Sequence, residues 1–298
     1  MKKTIAKTLR ITTTAMLWLL TMSPSDAYLL WKGELEGKTV HVLAVTPAMT
    51  EGLSASLPAE VTGAYEAAAL IAFETQADPE RRKQERRKII DQALYPEGES
   101  VTQHLPAETT RRLETVLRDL NVQNRGMLRV QPWATAHNLM NIASTRAGVK
   151  LAENLETYFQ QKALNDGKST DTLNKPDEVV ALYNALTKAE QVKILEMALR
   201  DAAALNTIYQ QRETAWVNGD ADAAAALING SFAEYQDIQR ALFDETNRRW
   251  AKKIAGMTRF DDVIMVVVPL PHAVGQFNLL DHLREQGFSV AQVVPVAP

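Results

Sequence analysis

The segment Val263–Val268 (VIMVVV) constrains the fold of this chain more than any other. It is continuously apolar and mostly β-branched, and it lies between Asp261-Asp262 and Pro269. A strand without polar alternation has no face to offer to water, so it must be a central strand covered on both sides. A parallel sheet sandwiched by helices is the architecture that supplies such cover. The sequence that follows fits this reading. Phe277 to Gln286 is an amphipathic helix, Gly287 is suited to end it, and Phe288 to Val296 reads as the last strand. Strand, helix and strand within about 34 residues predict a crossover unit with a parallel pair.

Strand patterns recur near the other end. Tyr28 to Leu35 and Lys38 to Val45 flank Glu36-Gly37, a two-residue hairpin turn. Pro58 to Ala68 has helical spacing, and Ala69 to Phe73 is a short buried strand ending at Glu74. Asp78 to Asp91 gathers Arg81, Arg82, Lys83, Arg86, Arg87 and Lys88 among Glu80 and Glu85, the pattern of a solvated helix face. From Pro106 to Met257 the chain is helical in type. Pro106, Pro132 and Pro176 sit where first helical turns begin, and Thr187 precedes Glu190 with capping-box spacing. Asn165 to Pro176 is the most polar stretch and reads as a mobile loop. The fold class is therefore α/β: a central mixed sheet built from both ends of residues 28–298, one domain, with a large helical insertion at about residues 104–257.

Residues 1–27 stand outside that scheme. Lys2, Lys3, Lys7 and Arg10 precede an apolar stretch from Ile11 to Met22, then Pro24 and Ser25-Asp26-Ala27. This is a secretory signal pattern, and the stretch is short against the roughly 20 residues of a stable membrane span. Cleavage before Tyr28 leaves a chain of net charge about -6, against -3 for the whole sequence, and places it in a bacterial periplasm or outside the cell. No basic field marks it for nucleic acid. The absence of cysteine excludes disulfides, zinc-thiolate sites, iron–sulfur clusters and cysteine nucleophiles. No G-x-S-x-G, G-x-G-x-x-G or phosphate loop is present.

Several short segments carry a resemblance. Leu30-Trp31-Lys32 with the Glu36-Gly37 turn, Ala69-Leu70-Ile71-Ala72-Phe73-Glu74, Gln131-Pro132-Trp133, Asn247-Arg248-Arg249-Trp250, Val263 to Val268, His272, and Leu279-Leu280 through Gly287-Phe288-Ser289-Val290 follow one another in an order that resembles the TraB/GumN family. This family is also called TraB/PrgY/GumN, and the Tiki proteins are its animal relatives. The resemblance implies a fold similar to erythromycin esterase-like and ChaN-like proteins. It also implies a metal-dependent peptidase site made of two Gly-x-x-His motifs and a glutamate.

This chain departs from that site. The first Gly-x-x-His reads Ala44-Val45-Thr46-Pro47, and the second reads Pro269-Leu270-Pro271-His272. Thr246 stands where the family has arginine before Asn247. Only Glu74 and His272 remain as catalytic or metal-binding candidates, and a proline at position 47 has no side-chain donor. A catalytic divalent metal wants about three protein ligands and an open position. The expectation is a non-catalytic or regulatory protein, a pseudoenzyme that binds a peptide, protein or small ligand and needs no cofactor. The alternative is a hydrolase using manganese, cobalt or zinc on Glu74 and His272, with His41 or Asp262 as the substitute ligand. A further possibility implied by the ChaN-like resemblance is haem on His272. His104, His137 and His282 lack metal-ligand spacing, and Trp133, Trp216 and Trp250 read as core.

Overall fold

The computed structural model describes residues 28–46, 57–123, 125–149, 154–260 and 262–294. Residues 1–27, where an export signal is expected, and Pro47 lie outside the described residues. Strands β1 (Leu30–Leu35) and β2 (Lys38–Val45) form the expected hairpin. Its turn residues Glu36 and Gly37 both have positive φ, 49° and 79°, the geometry that matches the twist of paired strands. Helix α1 (Ala59–Ala67) leads into β3 (Leu70–Phe73), and α2 (Pro79–Ala93) follows. Next come α3 (Ala107–Asp119), α4 (Pro132–Arg146) and α5 (Leu155–Asn165), then β4 (Ser169–Thr172). Helices α6 (Pro176–Ala185), α7 (Lys188–Ala203), α8 (Leu205–Val217), α9 (Ala221–Ser231) and α10 (Gln236–Met257) complete the middle. The chain returns to the sheet with β5 (Val263–Pro269), α11 (Leu270–Ala273), α12 (Leu279–Glu285) and β6 (Ser289–Gln292).

These strands make one mixed sheet in the order β4-β3-β5-β2-β1-β6. β5 is central, parallel to both β3 and β2, and Ile264 through Val268 are fully buried. The continuous apolar run therefore does what its composition demands. The sheet faces join Leu43, Ile71, Phe73, Trp216, Trp250 and Leu283 in the main core. A second, smaller core holds Leu113, Leu117, Leu139, Leu195 and Leu199, from α3, α4 and α7. The proline-led helix starts at 132 and 176 and the Thr187–Glu190 capping box are present as expected.

Two expectations are corrected. β6 does not pair with β5: it runs in the same direction but joins the outer edge of the sheet, antiparallel to β1. Both edges of β5 are already taken by β2 and β3, so the strand after α12 can find a partner only beyond the hairpin. Gly287, with φ 97°, turns the chain out of α12 toward that edge. The polar stretch 165–176 is not a free loop, because Ser169–Thr172 forms β4, parallel to β3. Its pairing is made by backbone groups at an exposed edge, where polar side chains are tolerated and no apolar signal is required. Lys253 fastens this edge strand by bonding to the carbonyl of Thr172 and to Asp171. Among the described residues no helix is long and apolar enough to cross a membrane.

Candidate functional site

Because β2, β3 and β5 are parallel, their C-terminal ends share one edge of the sheet, where open α/β folds place ligands. Phe73 is in register with Val267, so Glu74 leaves the sheet beside the end of β5. His272 sits on α11, the short helix that directly continues β5. The structure thus brings both predicted residues to the same end of the molecule.

The surroundings of His272 define its chemistry. Its Nδ1 lies 2.7 Å from Asn247 Oδ1. The amide of Asn247 is fully buried and its Nδ2 donates to the carbonyl of Phe277 at 2.7 Å, which leaves only the oxygen to face the histidine. His272 Nδ1 must therefore carry the proton, and Nε2 holds the lone pair. Trp250 stacks on the imidazole at 4.3 Å and Phe243 meets it edge-on at 5.0 Å. Burial in this aromatic setting pushes the imidazole down to about 3, so it is neutral near pH 7. Phe277 itself has φ 58°, an uncommon conformation for a bulky residue, and its carbonyl is what orients Asn247. Neighbouring Thr246, where the family resemblance places arginine, is buried with Oγ1 unpartnered among the described residues.

Glu74 is linked to His272 through two intervening side chains. Asn174 Nδ2 donates to Glu74 Oε1 at 3.4 Å, while Asn174 Oδ1 accepts from Trp250 Nε1 and from Arg249 Nη2, each at 2.9 Å. The indole that bonds Asn174 is the one stacked on His272. Burial, and secondarily the neighbouring carboxylate of Glu156, push the carboxyl of Glu74 up to about 8. Glu156 is itself held by Thr75 Oγ1 at 3.3 Å and Gln160 Nε2 at 3.2 Å.

Among the described residues no three His, Cys, Asp or Glu side chains gather round one point, and Glu74 is connected to His272 by way of Asn174 and Trp250. The two substitute ligands considered above are also misplaced. His41 lies four residues before the end of β2, about 13 Å back along the strand. Asp262 precedes β5 at the opposite end of the sheet, where it pairs with Lys38. The mouth of β2 is occupied as well: buried Trp216 donates from Nε1 to the carbonyl of Ala44 at 2.7 Å and meets Tyr28 edge-on.

A cavity of about 260 Å³ is bounded by Glu74, Ile89, Trp133, His137 and Tyr183, with exposed Arg86 at its rim. Helices α2, α4 and α6 supply its walls. A bridge between Leu94 and Val130 ties the end of α2 to the start of α4. Trp133 and Tyr183 stack at 4.4 Å with an interplanar angle of 5°, and Tyr183 Oη lies 2.8 Å from His137 Nε2. Trp133, Trp216 and Trp250 are core residues as expected, yet Trp133 also faces this cavity. Sequence reasoning missed Tyr183 and His137. The four-residue step from Trp133 to His137 on one helix face was the available signal, but nothing in the sequence places Tyr183 against them.

Two measurements check this description. Imidazole nitrogen NMR of His272 is expected to show the Nδ1–H tautomer with no titration from about pH 5 to about pH 8; titration in that window contradicts the assigned burial and bonding. Glu74 is harder to ionise folded than unfolded, so it lowers stability as pH rises from the ordinary glutamate value to about 8. Glu74→Gln is therefore expected to stabilise the protein more at pH 9 than at pH 5, by on the order of a few kcal/mol in urea titrations.

A model of the TraB/PrgY/gumN family matches residues 29–292. No curated protein and no solved structure matches the chain. The family match spans every strand of the sheet, Glu74, His272 and the helical middle alike, and on that ground the chain belongs to the TraB/PrgY/gumN family.

Proposed function

We propose that this protein is an exported binding member of its family, one that has lost metal-dependent hydrolysis and holds a peptide, protein segment or small ligand at the C-terminal end of its sheet. The observation that carries the reading is that Asn174 bonds Glu74 and Trp250 stacks on His272, so that each candidate is engaged by another side chain. Two side chains engaged in this way, with no third His, Asp or Glu gathered beside them among the described residues, fall short of the three or so ligands that a hydrolytic metal wants. Proline at position 47 supplies no third donor, and the crevice over β2 and β5 is filled by Trp216 and Trp250. The cavity beside β3 is the space left for a ligand. Binding there calls for no cofactor. The basic head, short apolar stretch and Ser25-Asp26-Ala27 support export to a periplasm or the cell exterior.

The competing reading is a peptidase using manganese, cobalt or zinc on Glu74 and His272. Incubation of the purified protein with a peptide library and each metal in turn separates the two. No cleavage beyond that of Glu74→Gln is expected; turnover lost in both Glu74→Gln and His272→Ala, with one tightly held metal ion per chain, would establish the peptidase. N-terminal sequencing of protein recovered from a bacterial periplasm is expected to start at Tyr28, and a chain retaining Met1 there would end the export proposal.

A further inference from the structure

We propose that the outward face of α2 docks an acidic protein segment, one that sets carboxylates on Lys83, Arg86 and Arg87 and apolar side chains on Ile90 and Leu94. This deepens the binding reading above and rests on it, because that face forms one lip of the cavity already described: Arg86, Ile89 and Ile90 all border it.

The first ground is charge left without a partner. Helix α2 carries six lysines and arginines against three carboxylates, in a chain whose net charge is -3. Arg82 is committed, donating to the carbonyl of Gln76 at 3.3 Å and to Gln160 Oε1. Lys83, Arg86 and Arg87 are exposed, and among the described residues none of their side chains has a hydrogen bond or an ion pair. Glu80 and Asp91 lie within a turn of this group, yet neither bonds to it. Lys83 and Arg87 are four residues apart, so two like charges meet along the helix and weaken it. Carboxylates brought from outside relieve that repulsion.

The second ground is that the same face is apolar at its far end. Steps of three and four residues put Lys83, Arg86, Arg87, Ile90 and Leu94 in one row. Ile90 is 39% and Leu94 41% exposed, whereas Ile89 turns to the cavity and Ala93 is the residue that α2 buries. A solvated helix face has no use for two adjoining aliphatic side chains held in water. Cations followed by aliphatic groups along one row match a segment with carboxylates and then apolar residues.

The third ground is shape. Across the cavity mouth from α2 stand Asn138 and Asn141 of α4, whose side-chain amides have no hydrogen-bond partner among the described residues. They offer donors and acceptors to the backbone of a chain lying along the lip. A row of cations beside a recess suits a segment that lowers a side chain into it. A flat anionic bilayer would meet the row and leave the recess unused.

The test uses the purified full chain and the fluorescence anisotropy of three labelled peptides: glutamates followed by leucines, the same with glutamine for glutamate, and the same with lysine for glutamate. At low salt the glutamate peptide is expected to bind at least about tenfold more tightly than the glutamine peptide, and the lysine peptide not at all. Raising salt from about 0.05 M to about 0.5 M is expected to remove most of that preference. The pair Lys83→Glu and Arg87→Glu is expected to abolish it, while Arg111→Glu with Arg118→Glu, exposed on α3, leaves it unchanged. Ile90→Ser is expected to weaken the glutamate and glutamine peptides several-fold and alike. The peptide series on the unmodified protein decides even where a variant does not fold. Equal affinity for the glutamate and glutamine peptides, a preference that survives the reversal on α2, its loss in the α3 variant, or no binding of any peptide overturns the inference. Binding to phosphatidylglycerol vesicles, lost on the α2 reversal and without any preference among the peptides, overturns it in favour of a membrane surface. These outcomes leave the binding reading standing for another ligand of the cavity; metal-dependent peptide turnover would instead remove that reading itself.

Discussion

The rest of the molecule is organised by the need to keep Ile264 through Val268 away from water on two faces and two edges at once. Parallel neighbours satisfy the edges, since β2 and β3 both present complete hydrogen-bonding registers to β5. Helices satisfy the faces, with Trp216, Trp250, Ile254 and Leu283 buried in the same core. Once β5 is enclosed in this way, the hairpin must lie outside β2, and the last strand must lie outside the hairpin. The same parallelism aligns three C-terminal strand ends and so creates the edge at which Glu74 and His272 emerge.

At that edge, polar groups are satisfied by one another more than by anything absent. Asn247 is committed to His272 and to Phe277; Asn174 is committed to Glu74, Arg249 and Trp250. The buried amide of Asn247 and the partly buried amide of Asn174 each use both ends, as a low-dielectric setting favours. The result is a connected set of side chains running from Glu74 through Asn174 and Trp250 to His272, with no direct bond between the two candidates among the contacts. The carboxyl and the imidazole are both shifted toward their neutral forms by burial, and neither neutralises the other.

The fold was legible wherever hydrophobicity had to declare itself. VIMVVV announced a central strand, Glu36-Gly37 a hairpin, and the prolines at 106, 132 and 176 the starts of helices. It was illegible where backbone hydrogen bonds alone decide. Ser169–Thr172 has the side chains of a loop and the pairing of an edge strand, and the choice of β1 over β5 as partner for β6 depends on which edges remain free. The site divides in the same manner. Glu74 and His272 were marked by their position after apolar runs and by the family resemblance. Asn174, Tyr183 and Arg249 reach them over long sequence separations that no local pattern encodes. His41 and Asp262 looked eligible only until the sheet showed the first in mid-strand and the second at the opposite end.

The bond from Trp216 to the carbonyl of Ala44 has a consequence for how such a chain can change. An indole seated on the last turn of a strand is held by a hydrogen bond and by tight packing, and its removal leaves both an orphaned acceptor and a void. A change at Trp216 therefore costs packing and a hydrogen bond together, whereas the cavity bordered by Glu74 shares none of its lining with that indole.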